Sequence, residues 1–188
     1  MKKLVFAVMA AAAMAASAET KIGTVDMLLL VRNHPNYDTN KTLLMSTEKD
    51  YQKKLEGIRS EGDALQEEGK KLMDQLNSPM LNDKAKNEAK AKFQDLQKKL
   101  MSIDQQYRSE AMRSRQQLQD LEAKLLKTTT DDLRKRIGKY AEEKGLDLVL
   151  DTNAAPFAKK TLDVTDDMLK AMGVDLKDVK GRDDVEGK

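Results

Sequence analysis

The side chains that could do chemistry are few. The chain has one histidine, no cysteine and no tryptophan. A serine nucleophile needs a base within hydrogen-bond reach. The one imidazole, His34, stands in Arg32-Asn33-His34-Pro35-Asn36, a loop beside a proline where exposure to solvent is expected. Carboxylates are plentiful but spread along charged stretches, whereas a paired-carboxylate acid/base site needs a cleft that positions and partly desolvates both groups. No EF-hand spacing occurs, which leaves scattered carboxylates as the one open route to a calcium ion. The glycines are isolated and form no phosphate-binding fingerprint. The sequence therefore points away from an enzyme and calls for no cofactor. The residue types that do suggest an activity suit adaptable contact. Met73, Met80, Met101 and Met112 have flexible, polarisable side chains of the kind promiscuous surfaces use, and Tyr107 lies among them. Arg108, Arg113 and Arg115 cluster between Lys98 and Lys127, in a segment (83–127) with eleven basic and seven acidic residues. Such an excess steers acidic polymers or headgroups, or is only a solvated helix face. The methionines equally could pack a helical seam.

What must position these residues is a long charged stretch, Lys41 to Lys144, rich in good helix formers. It breaks at Asn77-Ser78-Pro79, where proline ends a helix, and the spacing predicts two long helices folded back as an αα-hairpin. On the first arm Tyr51, Ile58, Leu65 and Leu72 recur every seven residues, and Leu55, Gly62, Gly69 and Leu76 fill the alternate seam positions of a heptad. The second arm runs Ala89, Phe93, Leu96, Leu100, Ile103, Tyr107, takes an extra step to Ala111, and resumes at Ser114, Leu118, Leu121 and Leu125, a stutter. Gly62 and Gly69 supply no knob. They mark either a hinge in the first arm or close approach of its partner.

The amino-terminal residues 1–18 read as a secretory signal peptide. Lys2 and Lys3 form the positive start, the apolar run from Leu4 to Ala16 follows, and Ala16-Ser17-Ala18 offers a small-x-small cleavage site. The run is too short to span a bilayer, which needs about twenty residues. No other stretch qualifies as a transmembrane helix, and no cysteine stands at the cut for a lipid anchor. A mature exported protein starting near Glu19 is expected. The precursor has 34 Lys plus Arg against 32 Asp plus Glu, and two of the lysines lie in the leader, so the mature chain is formally neutral. Neither charge nor location favours nucleic acid.

At the two ends of the mature chain, Ile22, Val25 and Met27 read as one strand and Leu146, Leu148, Val149 and Leu150 as another. Asp151-Thr152-Asn153 reads as a turn, Ala154 to Ala158 suits an edge strand or an irregular segment, and Leu162 to Val164 a short strand. Thr165 caps a helix ending near Met172, Gly145 ends the second arm, and residues 173–188 read as a flexible charged tail. The organisation expected is a β body from 19–40 and 145–172, and an arm from 41–144 with its tip near 77–82. A sheet that small cannot stand alone. Its unprotected edges invite pairing with other copies, so oligomerisation is expected to complete the body.

Three segments resemble the Skp/OmpH family of periplasmic chaperones. Lys21-Ile22-Gly23-Thr24-Val25-Asp26-Met27 is similar to the family's first strand. Gly145-Leu146-Asp147-Leu148-Val149-Leu150-Asp151-Thr152-Asn153-Ala154 resembles its (Ile/Leu)-Asp-Leu-Val-(Val/Leu)-Asp-x-Asn-Ala signature. Leu162-Asp163-Val164-Thr165-Asp166-Asp167-Met168-Leu169-Lys170 resembles its closing segment. The resemblance implies an α+β fold, jellyfish-like, with a long antiparallel coiled-coil hairpin projecting from a small β body completed in a homotrimer. It also implies a periplasmic holdase that works without ATP on unfolded outer membrane proteins. Usual members are strongly basic and this mature chain is neutral, so lipopolysaccharide or membrane-surface contact does not carry over with the rest. The rival reading from the heptads is a structural or adaptor coiled coil of the envelope.

Overall fold

The computed structural model describes residues 20–80 and 82–182; the expected signal peptide lies outside them. The fold is α+β, and it divides into two units. One comprises the chain up to residue 35 and from 130 onward, the other residues 36–129.

The first unit is built on two short strands. β1 (Ile22–Val25) pairs in parallel with β2 (Leu148–Asp151), with Ile22 opposite Leu148 and Val25 opposite Asp151. The strands start and end where turn chemistry allows. Asp26 leaves β1 and caps α1 (Met27–Arg32), its carboxylate accepting the Leu29 N–H at 2.9 Å, the usual role of an N-cap aspartate. At the other end of the inserted helices, Gly145 takes a left-handed φ of 65°. The Leu146 N–H then reaches the Ala141 carbonyl and the Gly145 N–H the Glu142 carbonyl, a Schellman motif that only glycine adopts without strain. Alternation along the strands turns Val25 and Val149 inward. They meet Leu29 and Leu30 of α1, Leu133 of the long helix, and Met168 and Leu169 of α4 (Thr165–Ala171). Leu30, Leu133 and Leu169 have no exposed surface.

Several boundaries differ from the sequence reading. Met27 opens α1 instead of ending the strand, because Asp26 caps there. Leu146 precedes β2 and lies beside Gly23, its Cδ1 3.1 Å from where a Cβ would stand. The turn expected after β2 is a 3-10 turn at Thr152–Ala154, and residues 155–159 beyond it are irregular, not an edge strand. Asp151 caps that turn through the Asn153 N–H, and the closure takes the chain away from the sheet. Lys160–Leu162 is a second 3-10 turn, and Asp163 alone bridges to Thr24. β1 is thus flanked on both edges, while among the described residues β2 has a partner on one edge only.

Over its described residues, 173–182, the expected loose tail packs onto the first unit. Val174, Leu176 and Val179 pack against the core. The Asn33 side-chain amide exchanges two bonds with the Lys180 backbone, accepting its N–H at 2.9 Å and donating to its carbonyl at 3.1 Å. Arg182 pairs with Asp166. Gly181, at φ 81°, lies against the Arg32 side chain, where a Cβ would come within 2.5 Å of the guanidinium. Three apolar residues scattered among charges give no periodic signal, which is why the strap reads as tail.

In the second unit α2 (Tyr37–Leu76) runs unbroken through Gly62 and Gly69. Asn82 accepts the Ala85 N–H at 2.8 Å and so caps α3 (Asp83–Lys144), 62 residues long, roughly 90 Å at helical rise. The two helices are antiparallel. Cross-ties run from Asn40 to Thr129, Tyr51 to Gln117 and Lys54 to Glu110, and then from Gly62 to Ile103 and Gly69 to Leu96. Ile58, Gly69 and Leu72 of α2 and Ala89, Leu96 and Ser114 of α3 are buried along this seam.

The strap sets a stability test. Asn33→Ala removes both side-chain bonds to the Lys180 backbone and the side-chain bond to the Leu29 carbonyl, the contacts that tie the strap to α1. A loss of about 1–3 kcal/mol is expected, read as a lower urea midpoint for the mature protein. An unchanged midpoint contradicts a docked strap.

Candidate functional site

On the helical pair, the exposed apolar residues have a common position. Met45, Met73, Met101, Met112 and Leu126 are 61%, 44%, 74%, 75% and 54% exposed. Each directly follows a residue of the seam: Leu44, Leu72, Leu100, Ala111 and Leu125. One step along a helix turns a side chain by about 100°, onto the flank of the seam. Two antiparallel helices are related by a twofold axis normal to their common plane, so the same step on either helix reaches the same face. The five residues therefore flank one face of the pair.

Two grooves lie beside the glycines on that same face. The one at Gly69 has a volume of about 460 Å³ and is lined by Met73, Phe93, Leu96 and Leu100 with Gln66, Lys70, Asp74 and Gln97. Beside Gly62 a second groove of about 370 Å³ is lined by Leu100, Ile103 and Tyr107 with Arg59, Asp63 and Asp104. The space that each missing knob leaves is used for close approach: Leu96 and Ile103 stand 3.2 and 3.3 Å from the ideal Cβ positions. Met80, in the turn between the helices, is 94% exposed.

Charge along the pair is locally balanced. Arg108 pairs with Asp104, Lys99 with Asp95 and Lys70 with Glu67. These are exposed pairs of small energetic weight, though Lys70 and Lys99 are held above the usual lysine range by the carboxylates they donate to. Lys54 bridges the two helices to Glu110, whose carboxyl is held below its ordinary range by that bond. Arg113 and Arg115 are exposed.

The first unit has an apolar face of its own. Ile22, Leu148 and Leu150 project from the side of the sheet away from the core and are 36%, 44% and 39% exposed. Phe157, beyond the 3-10 turn, is 81% exposed.

A family model described as outer membrane protein (OmpH-like) matches residues 21–172. The chain belongs to the OmpH-like family. Among solved structures, an OmpH-like protein from Caulobacter crescentus CB15 superposes with a TM-score of 0.64 at 15% identity, covering 82% of this chain and 85% of that one. At that identity the likeness speaks to the fold. No curated protein gives a match. As an OmpH-like protein the chain is a periplasmic chaperone of outer membrane protein biogenesis and not an enzyme.

Within this OmpH-like chain, sequence reading picked out Met73, Met101 and Met112 but passed over Met45 and Leu126, which repeat the same offset from the seam and could have been found by it. Phe157 was also missed, since a lone aromatic in a loop gives no pattern. Of the residues expected in the oligomer body, Ile22, Val25, Leu148, Val149 and Leu150 lie in the strands; Met27 and Leu146 do not. His34 departs most from expectation. It is 7% exposed, and its Nε2 lies 3.0 Å from Asp132 Oδ2. Asp132 also accepts from Arg136 Nε at 2.6 Å. Arg136 first, and then His34, hold the Asp132 carboxyl below the usual carboxylate range. The carboxylate is thus ionised at neutral pH and can only accept, so His34 Nε2 carries the proton.

A group whose folded pKa is depressed contributes stability above its unfolded pKa and loses it as pH falls through the folded value. Asp132→Asn is therefore expected to lower the urea midpoint at neutral pH. The gap from the parent closes as the solution is acidified below the ordinary carboxylate range. A gap that persists in acid, or none at neutral pH, contradicts the assignment.

Proposed function

We propose that this chain is an ATP-independent holdase, which binds unfolded outer membrane β-barrel proteins in the periplasm and keeps them from aggregating before insertion. The observation that carries the reading is the single face of the helical pair flanked by Met45, Met73, Met101, Met112 and Leu126, with two shallow grooves opening on it. A holder of many sequences needs broad, weak, re-packable apolar surface in place of one fitted pocket. Thioether side chains serve that need because they are unbranched and polarisable. Charged residues at the groove rims, Arg59, Asp63, Lys70 and Asp104, keep a loaded surface soluble and add reversible polar contacts. Arg108, Arg113 and Arg115 add cationic contacts at the edge, and Tyr107 and Met80 extend the apolar surface.

The same reading includes a homotrimer. Ile22, Leu148 and Leu150 expose apolar surface on a two-stranded sheet whose second strand is paired on one edge. Two further copies of the chain would cover that surface.

Dilution of a urea-unfolded outer membrane barrel into buffer tests the proposal, with light scattering followed without ATP. Suppression at about one oligomer per client is expected across unrelated barrels. The variant with Met73, Met101 and Met112 changed to Glu is expected to lose most of it while keeping its helical circular dichroism. Failure to suppress any barrel, with tight binding to one folded envelope protein instead, would overturn the reading in favour of an adaptor.

A further inference from the structure

Sulfur is distributed unevenly in this molecule. There is no cysteine, so thioethers are its only sulfur. In the second unit Met45, Met73, Met80, Met101 and Met112 are all exposed, from 44% for Met73 to 94% for Met80. In the first unit Met168 and Met172 are 1% and 9% exposed and belong to the core. Met27 packs against the same core and is half-buried. The core methionines are thus wholly or partly shielded, and those of the helical pair stand in solvent. They make up most of the exposed large apolar side chains of the second unit, beside Leu43, Tyr107 and Leu126.

We propose that these five methionines are a reversible oxidation site, through which peroxide switches the contact face from apolar to polar; the proposal rests on the holdase reading above. The thioether sulfur attacks one peroxide oxygen. The O–O bond breaks, an S=O bond forms, and the second oxygen leaves as water. Sulfur loses two electrons and the peroxide gains them. A dithiol reductase reverses the step, its two thiols closing to a disulfide as the oxygen departs as water. Each sulfoxide replaces a flexible apolar end with a strong hydrogen-bond acceptor that resists transfer out of water. Met73 lines the Gly69 groove, so its oxidation places that acceptor at the groove wall. With Met168 and Met172 out of reach in the core, the fold survives the change. The absence of thiols means that no disulfide forms in competition.

The mature protein is treated with graded hydrogen peroxide, and sulfoxide is mapped by peptide mass spectrometry. Met80, Met101 and Met112 are expected to oxidise first, then Met45 and Met73, while Met168 and Met172 stay reduced and the helical circular dichroism is unchanged. Suppression of barrel aggregation should fall severalfold and return after treatment with methionine sulfoxide reductases. Each protein is compared with itself before and after peroxide: in a variant with all five changed to leucine the suppression, at whatever level it starts, should not fall on treatment, whereas in the parent it falls and is restored by the reductases. Full suppression by the oxidised parent, or an equal loss in the leucine variant, overturns this inference alone. No suppression by the unoxidised parent overturns the holdase reading and this inference with it.

Discussion

The parallel pairing of β1 with β2 is the constraint from which the rest of the first unit follows. Parallel strands cannot be joined by a tight turn. The chain must leave after Val25 and come back to Leu148 travelling in the same direction, and both long helices lie within that excursion. The pairing buries Val25 and Val149 against α1, α4 and Leu133, and it sends Ile22, Leu148 and Leu150 to the opposite side. That opposite side is the cost of the arrangement: a two-stranded sheet with an apolar outer face is marginal in water. α1 and α4 cover only one side, and the strap from Val174 to Val179 adds to the same covered side.

The helical pair solves a different problem. Its seam is thin, and two of its positions are glycine, so little apolar area is buried per turn and the flanks remain open. In a protein selected for stability alone, Met101 and Met112 would be polar. They are methionine on the same face as the two grooves, and under the holdase proposal such a surface benefits from side chains with many low-energy conformations. The same choice makes that surface chemically soft, because thioethers in solvent are open to oxidants that the core methionines never meet.

Much of the fold was legible in the sequence because its signals are local or periodic. The heptads of α2, the Asn77-to-Pro79 break, the stutter at Ala111 and the stop at Gly145 each follow from propensity, period or a left-handed backbone need. Alternating apolar residues located both strands, though β2 starts two residues later than Leu146 because Leu146 completes the helix cap. The features that were not legible depend on partners distant in sequence. His34 is buried beside Asp132, far along the chain, whose carboxylate accepts the Nε2–H hydrogen bond. The strap docks because Asn33 matches the Lys180 backbone. Neither pair leaves a mark in its own neighbourhood. The contact face was half legible: the methionines were visible as a type, but their shared offset from the seam emerges only when the two helices are set antiparallel.

The central claim is that the exposed face of the sheet is completed by copies of the same chain. Sedimentation equilibrium of the mature protein at micromolar concentration tests it most directly. The account predicts three chains per particle, and dissociation when Leu148 and Leu150 are both changed to Glu. A stable monomer or dimer for the parent across that range, or a trimer unaffected by the double change, would contradict it.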